Sequence, residues 1–144
     1  MKKRLVLSTI ALATVGLFLL ASTAYAAEWT KKTRLSLSSS AGGTIQPNQA
    51  VTFTGELKSD KKACYADQMV SLFRNPGPNG ANHDKLVDKV MTNGSGHYQF
   101  PREGKLIRTA DWWVAFDGSV EGTHPNIHTC RASESAHITI TVAG

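Results

Sequence analysis

Val51-Thr-Phe-Thr-Gly-Glu-Leu-Lys58 is the stretch of sequence that decides the fold. Its large apolar residues, Val51, Phe53 and Leu57, are separated by two and by four positions, both even numbers, and the residues between them are polar or small. Successive side chains of a β-strand point to opposite faces, so this alternation predicts a strand with one buried and one solvated face. Residues 136–142 repeat the pattern near the end of the chain.

Shorter alternating runs predict five further strands, which carry Leu35 and Leu37, Val70 and Leu72, Leu86–Thr92, His97–Phe100, and Asp111–Phe116. Glycine, asparagine and proline separate these runs. Asn93-Gly94 is a strong hairpin signal between Leu86–Thr92 and His97–Phe100. No run has the periodicity of a helix. The sequence therefore predicts an all-β domain of about seven short antiparallel strands, an immunoglobulin-like or Greek-key sandwich.

The beginning of the chain has the pattern of a signal peptide. A basic start, Lys2–Arg4, precedes the uncharged apolar run Leu5–Ser22, and Ala24-Tyr25-Ala26 matches a small-x-small cleavage site. We expect residues 1–26 to be removed and residues 27–144 to form one domain of a secreted protein, extracellular or periplasmic. The alternative is an N-terminal membrane anchor, because the apolar run is about long enough to span a bilayer.

The net charge falls when the predicted signal peptide is removed. The chain has 16 basic and 11 acidic residues, for a net charge of +5. Residues 27–144 keep 13 of the basic residues and all 11 acidic ones, for +2. This near balance argues against a nucleic-acid partner. Two short basic clusters remain, one with Lys31, Lys32 and Arg34 and the other with Lys58, Lys61 and Lys62. We interpret them as solvated residues that prevent edge-to-edge pairing, with an anionic cell-wall polymer as the alternative role.

Two cysteines, Cys64 and Cys130, are present. In an exported protein an even pair is read as a disulfide, and this one would close a loop of about 67 residues and stabilise the fold by about 4 kcal/mol. Both cysteines are expected in loops, at 60–68 and 117–131, so the bond is expected to clasp one end of the sandwich. The alternative is a pair of free thiols that bind a metal.

Several of these segments together resemble small secreted bacterial Ig-like, or prealbumin-like, domains. The segments that carry the resemblance are Val51–Ser59, Lys61–Cys64, Val70–Arg74, Thr92–Tyr98, Trp113–Phe116 and Cys130. The resemblance covers about residues 30–144. It implies the sandwich fold, and it implies an accessory role because many such domains are modules of larger surface proteins.

No catalytic or metal site is predicted. His124, His128 and Cys130 form H-x3-H-x-C, but Pro125 disfavours the helix that would place both imidazoles on one face. There is no G-x-S-x-G elbow, and although carboxylates could pair in space, a sandwich this small offers little cleft for a glycosidase pair. We therefore expect no enzyme activity, no cofactor and no bound metal.

The adjacent Trp112 and Trp113 must point to opposite faces of their strand. Trp112 shares a face with Val114 and Phe116, so we place Trp112 in the core and Trp113 outside, as a candidate ligand contact. The alternative is that a strand, a loop or the Trp29 segment covers Trp113.

The sequence as a whole predicts a secreted, non-catalytic binding or accessory module, with a cell-wall polysaccharide or a surface protein as partner. The alternatives are a structural envelope protein without a ligand, and a small secreted hydrolase or inhibitor.

Overall fold

The computed structural model of the chain describes residues 27–76, 84–102 and 108–144. This part holds thirteen strands: β1 Trp29–Lys31, β2 Arg34–Leu35, β3 Ser38–Ser39, β4 Thr44–Ile45, β5 Val51–Lys58, β6 Met69–Asn75, β7 Lys85–Met91, β8 His97–Arg102, β9 Ala110–Phe116, β10 Ser119–Glu121, β11 His128–Cys130, β12 Ser133–Glu134 and β13 Ile138–Val142. One 3₁₀-helix, Lys62–Cys64, lies between β5 and β6. The predicted signal peptide, residues 1–26, lies outside the described residues.

Strand β5 is the centre of a four-stranded sheet. It pairs antiparallel with β2, β3 and β8. The predicted alternation is confirmed, because Val51, Phe53 and Leu57 are all buried. Gly55 interrupts the apolar face because a side chain there would collide with the Tyr98 hydroxyl group and the Ser36 carbonyl oxygen. Tyr98 donates a hydrogen bond to that carbonyl across the glycine, and burial raises the pKa of its phenol well above the ordinary value.

A second sheet has six strands in the order β4-β13-β9-β6-β7, with β12 also paired to β9. Its inner face meets that of the β5 sheet, as the rings of Trp112 on β9 and Phe53 on β5 show with centroids 4.7 Å apart. Core residues come from both sheets, among them Leu72, Val114 and Ile140. The all-β sandwich is therefore confirmed.

Asn93-Gly94 does not form the predicted hairpin. Strand β7 pairs with β6 and strand β8 pairs with β5, so the chain passes from one sheet to the other at this turn. The Asn93 side chain holds the turn by accepting hydrogen bonds from the backbone N–H groups of Ser95 and His97. Just before it, the Thr92 hydroxyl donates to the Tyr65 carbonyl at 2.6 Å. The local turn chemistry was recognised correctly, but it does not determine which strands pair.

A third, small sheet caps one end of the sandwich. Strand β11 lies between β1, which runs parallel to it, and β10, which runs antiparallel. The segment 117–131, predicted to be a loop, therefore contains two strands, and Cys130 lies on a strand at the end of β11. Cys64 belongs to the 3₁₀-helix, and the predicted disulfide between the two cysteines is present.

Candidate binding site at the disulfide-clasped end

The two basic clusters of the sequence meet in the structure. Arg34 on β2 and Lys58 on β5 are direct cross-strand partners. The Ser59 hydroxyl donates a hydrogen bond to the Lys32 carbonyl at 2.8 Å, which holds the two segments together beyond the strand pair. Lys32, Arg34, Lys58, Ser59 and Asp60 line an open cavity of about 520 Å³. Side chains from distant parts of the sequence therefore form one concave, basic surface.

The disulfide fixes the rest of this surface. Cys64 and Cys130 are bonded, with their Cα atoms 5.4 Å apart. Lys31 is the register partner of Cys130 in the parallel β1–β11 pair, and Lys62 begins the 3₁₀-helix that ends with Cys64. The covalent bond thus connects β11, which pairs with the strand that carries Lys31, to the 3₁₀-helix that begins at Lys62.

An aromatic stack lies on the same segments. The Trp29 and His128 rings face each other on β1 and β11, with centroids 4.5 Å apart and an angle of 12° between planes. The Lys61 ammonium nitrogen lies over the Trp29 ring, 5.9 Å from the centroid, within the range of a cation–π contact. Trp29 is partly buried against the core, whereas Lys61 is exposed. The ring therefore lies under an exposed cation that neighbours the basic cavity in the sequence.

We call this region the clasped end; its residues are Trp29, Lys31, Lys32, Arg34, Lys58, Ser59, Asp60, Lys61, Lys62, His128 and the Cys64–Cys130 bond.

Charge is concentrated at the clasped end. Segments 28–34 and 56–62 carry six basic and three acidic residues, a net charge of +3. The rest of 27–144 carries seven basic and eight acidic residues, a net charge of −1. The carboxylate of Glu56 lies 3.1 Å from the Lys58 ammonium group, but Lys58 remains 65% exposed. Arg34 and Lys58 are like charges placed directly opposite each other, an arrangement that destabilises a sheet. A bound anion would relieve this repulsion.

Trp113 is covered, which is the alternative that the sequence analysis gave to an exposed ring. It does point away from Trp112 and the core, but only 6% of its surface is accessible. Its ring lies between Phe73, at 5.7 Å, and His137, at 4.4 Å, with planes within 11° and 5° of its own. The two stacked neighbours cover the indole, so it offers no free ring face to a sugar. Its role as a ligand contact stays a prediction that this geometry does not favour.

The three residues of the H-x3-H-x-C motif lie in different settings. His128 stacks on Trp29, Cys130 is in the disulfide, and His124 is exposed in the turn before β11. Within the three described ranges, no group of three or more metal-ligating side chains is placed to hold an ion.

Sequence reasoning did not predict that Trp29 and His128 stack on each other beside the basic residues. The available signal was the spacing of Trp29 and Lys31, which puts an aromatic and a basic residue on the same face of a strand.

Comparison with models of protein families found no match, and neither did comparison with curated proteins. None of the described segments forms a helix of the length and apolar character needed to cross a bilayer.

Proposed function

We propose that this protein is an exported, non-enzymatic binding or accessory module of the immunoglobulin-like class, which holds its partner with the clasped end. The partner is a cell-surface polymer or a surface protein, and the place of action is the extracellular space or the periplasm. The strand order supports the class. Strands β2, β5 and β8 share one sheet, and β6, β9 and β13 share the other, as in a Greek-key sandwich whose chain crosses between two sheets.

One observation carries the proposal. Basic residues of two separate clusters, Lys32 and Arg34 from one and Lys58 from the other, line one cavity, and the neighbouring segments carry a disulfide and an aromatic stack. A surface of this kind costs stability through repulsion between like charges. A rigid, covalently braced surface that concentrates charge also loses little conformational freedom when it binds. Both properties suit a preformed binding surface.

The test is co-sedimentation of the purified, oxidised protein with insoluble cell-wall material. We expect the protein to sediment, and we expect Arg34→Glu to weaken sedimentation while the protein stays folded. Lys85→Glu is the matched control, because Lys85 is an exposed basic residue on β7, in the other sheet. Equal weakening by the two charge reversals would assign the effect to net charge and contradict a site at the clasped end. A protein that stays in the supernatant and captures no surface protein would contradict the binding role itself.

A further inference from the structure

We infer that the ligand of the clasped end is an anionic polysaccharide, recognised through a charged group and neighbouring hydroxyl groups of its sugars. The inference rests on the proposed function and adds the chemical class of the ligand.

The cavity holds cations at close spacing. Lys32 and Arg34 are two residues apart, and Lys58 lies directly across from Arg34. Neighbouring strands are about 5 Å apart, and two residues of extended chain span at most about 7 Å, so the three residues lie within the span of one or two sugar units. Together they provide charge-assisted hydrogen bonds to a carboxylate or a sulfate, with the forked guanidinium of Arg34 suited to a bidentate contact.

The same cavity holds two groups that can accept hydrogen bonds from the hydroxyl groups of a sugar. Asp60 lines it beside Ser59. The carboxylate of Asp60 repels any anionic group that comes close to it, but it accepts hydrogen bonds from sugar hydroxyl groups. The Ser59 hydroxyl donates its hydrogen bond to the Lys32 carbonyl oxygen. Its own oxygen can therefore still accept a hydrogen bond from the ligand. A lining of cations, a carboxylate and a hydroxyl therefore matches a ligand that alternates anionic and hydroxyl groups.

The aromatic component argues against a nucleic-acid strand. Proteins that bind single strands without sequence preference present aromatic rings on which successive bases stack. At the clasped end, one face of Trp29 lies against His128, and Lys61 lies over the ring.

The test is titration of the oxidised protein with soluble polymers. Binding is measured by the change in melting temperature and by calorimetry. Heparin provides sulfate and carboxylate on a sugar chain, and polygalacturonate provides carboxylate alone. These two arms distinguish the possible anionic groups. Neutral dextran, polyphosphate and duplex DNA are the comparison polymers. We expect at least one anionic glycan to bind and to raise the melting temperature, and we expect this binding to weaken between about 50 mM and about 200 mM salt.

A pair of double variants locates the site. We expect Lys32→Gln with Lys58→Gln to weaken glycan binding about 10-fold at low salt, because each exposed charge contact contributes modestly. Lys85→Gln with Lys89→Gln removes the same charge from β7, where both lysines are exposed, and should change the affinity less than twofold.

Asp60→Asn tests the glycan assignment itself. Removing this carboxylate should raise the affinity for polyphosphate and DNA by a few-fold, because a repelling charge is lost, and should raise the affinity for the glycan less, because the amide oxygen is a weaker acceptor for sugar hydroxyl groups.

Three outcomes would overturn the inference: no binding of either anionic glycan, equal losses in the two double variants, or DNA or polyphosphate binding as tightly as the glycans. If wall sedimentation still depends on Arg34 while neither glycan binds, the ligand class is wrong and the binding role of the clasped end stands.

Discussion

Two tryptophans of this protein stack on a histidine with nearly the same geometry, yet the two pairs have different surroundings. The ring centroids are 4.5 Å apart in the Trp29–His128 pair and 4.4 Å apart in the Trp113–His137 pair. Trp113 has a second stacked neighbour in Phe73, and its histidine is held by Glu134 at 2.8 Å. Trp29 has instead the cation of Lys61 over its ring.

The difference teaches that the geometry of an aromatic pair does not reveal its role. The Trp113 pair is part of a row across the outer face of the large sheet, where Phe73 on β6 and His137 just before β13 exclude water from the indole. The Trp29 pair ends at an exposed lysine beside a basic cavity. We interpret the first as structural and the second as part of a binding surface, and the following experiments test that distinction.

The largest effect is expected from removal of the disulfide. The double substitution of Cys64→Ser and Cys130→Ser should lower the free energy of unfolding by about 4 kcal/mol, because the reduced unfolded chain gains the freedom that the bond removes. The loss is measured by urea denaturation. Hydrogen exchange then shows where the folded protein loosens, which should be β11 near Trp29 and not β9 near Trp113. Equal loss of protection in both strands would erase the structural distinction between the two pairs.

The second effect compares the tryptophans directly. Trp113→Ala should destabilise the protein by about 3 kcal/mol, because it removes a buried ring from between two others. Trp29→Ala should cost about 1 kcal/mol, because the ring is only partly buried. The pair of denaturation curves measures both. In sedimentation with cell-wall material, Trp29→Ala should weaken binding and folded Trp113→Ala should not, and the reverse pattern would restore Trp113 as the ligand contact.

The sequence was sufficient to predict most of the framework, for a clear physical reason. Alternation of apolar residues depends on the strand alone, so long strands such as β5 and β9 were recognised and Trp112 was placed in the core. Strands of two or three residues, such as β1 and β11, are too short to show alternation. The disulfide followed from the predicted export of the chain, since an even number of cysteines pairs in an oxidising compartment.

The site depended on information that local patterns do not contain. Trp113 was placed on the correct face, but its burial results from Phe73 on β6 and from His137, which lies just before β13. The basic clusters were visible as two separate groups, and only the register of β2 against β5 brings Arg34 opposite Lys58. A net charge of +2 for residues 27–144 likewise hides the uneven distribution that the folded chain reveals.

A smaller effect is expected from the carboxylate that holds His137. Glu134→Gln should lower the free energy of unfolding by about 0.5 kcal/mol, because the contact between the Glu134 carboxylate and the His137 ring is about half exposed and screened by solvent. Glu121→Gln is the matched control, since Glu121 is the cross-strand partner of His128 and the described residues show no ion pair between them. The control should change stability less than Glu134→Gln in paired urea titrations. If the two variants are equally destabilised, Glu134 does not distinguish the Trp113 stack from the Trp29 stack.

The smallest change in stability is expected from Lys61→Gln. This substitution tests the Trp29–His128 pair most directly. Lys61 is exposed and its ammonium group lies at the outer limit of a cation–π contact, so the free energy of unfolding should change by less than about 0.5 kcal/mol. The indole N–H resonance of Trp29 should nevertheless shift in the NMR spectrum, whereas that of Trp113 stays in place. Affinity for the anionic glycan should fall about threefold, because one cation beside the cavity is lost.

Lys62→Gln is the control. It removes the same charge from the neighbouring position without a contact to the ring, so it separates the contribution of the charge from that of the ring contact. A Trp29 resonance that moves equally in both variants would mean that Lys61 acts through charge alone, and the Trp29 ring would then have no part in positioning it.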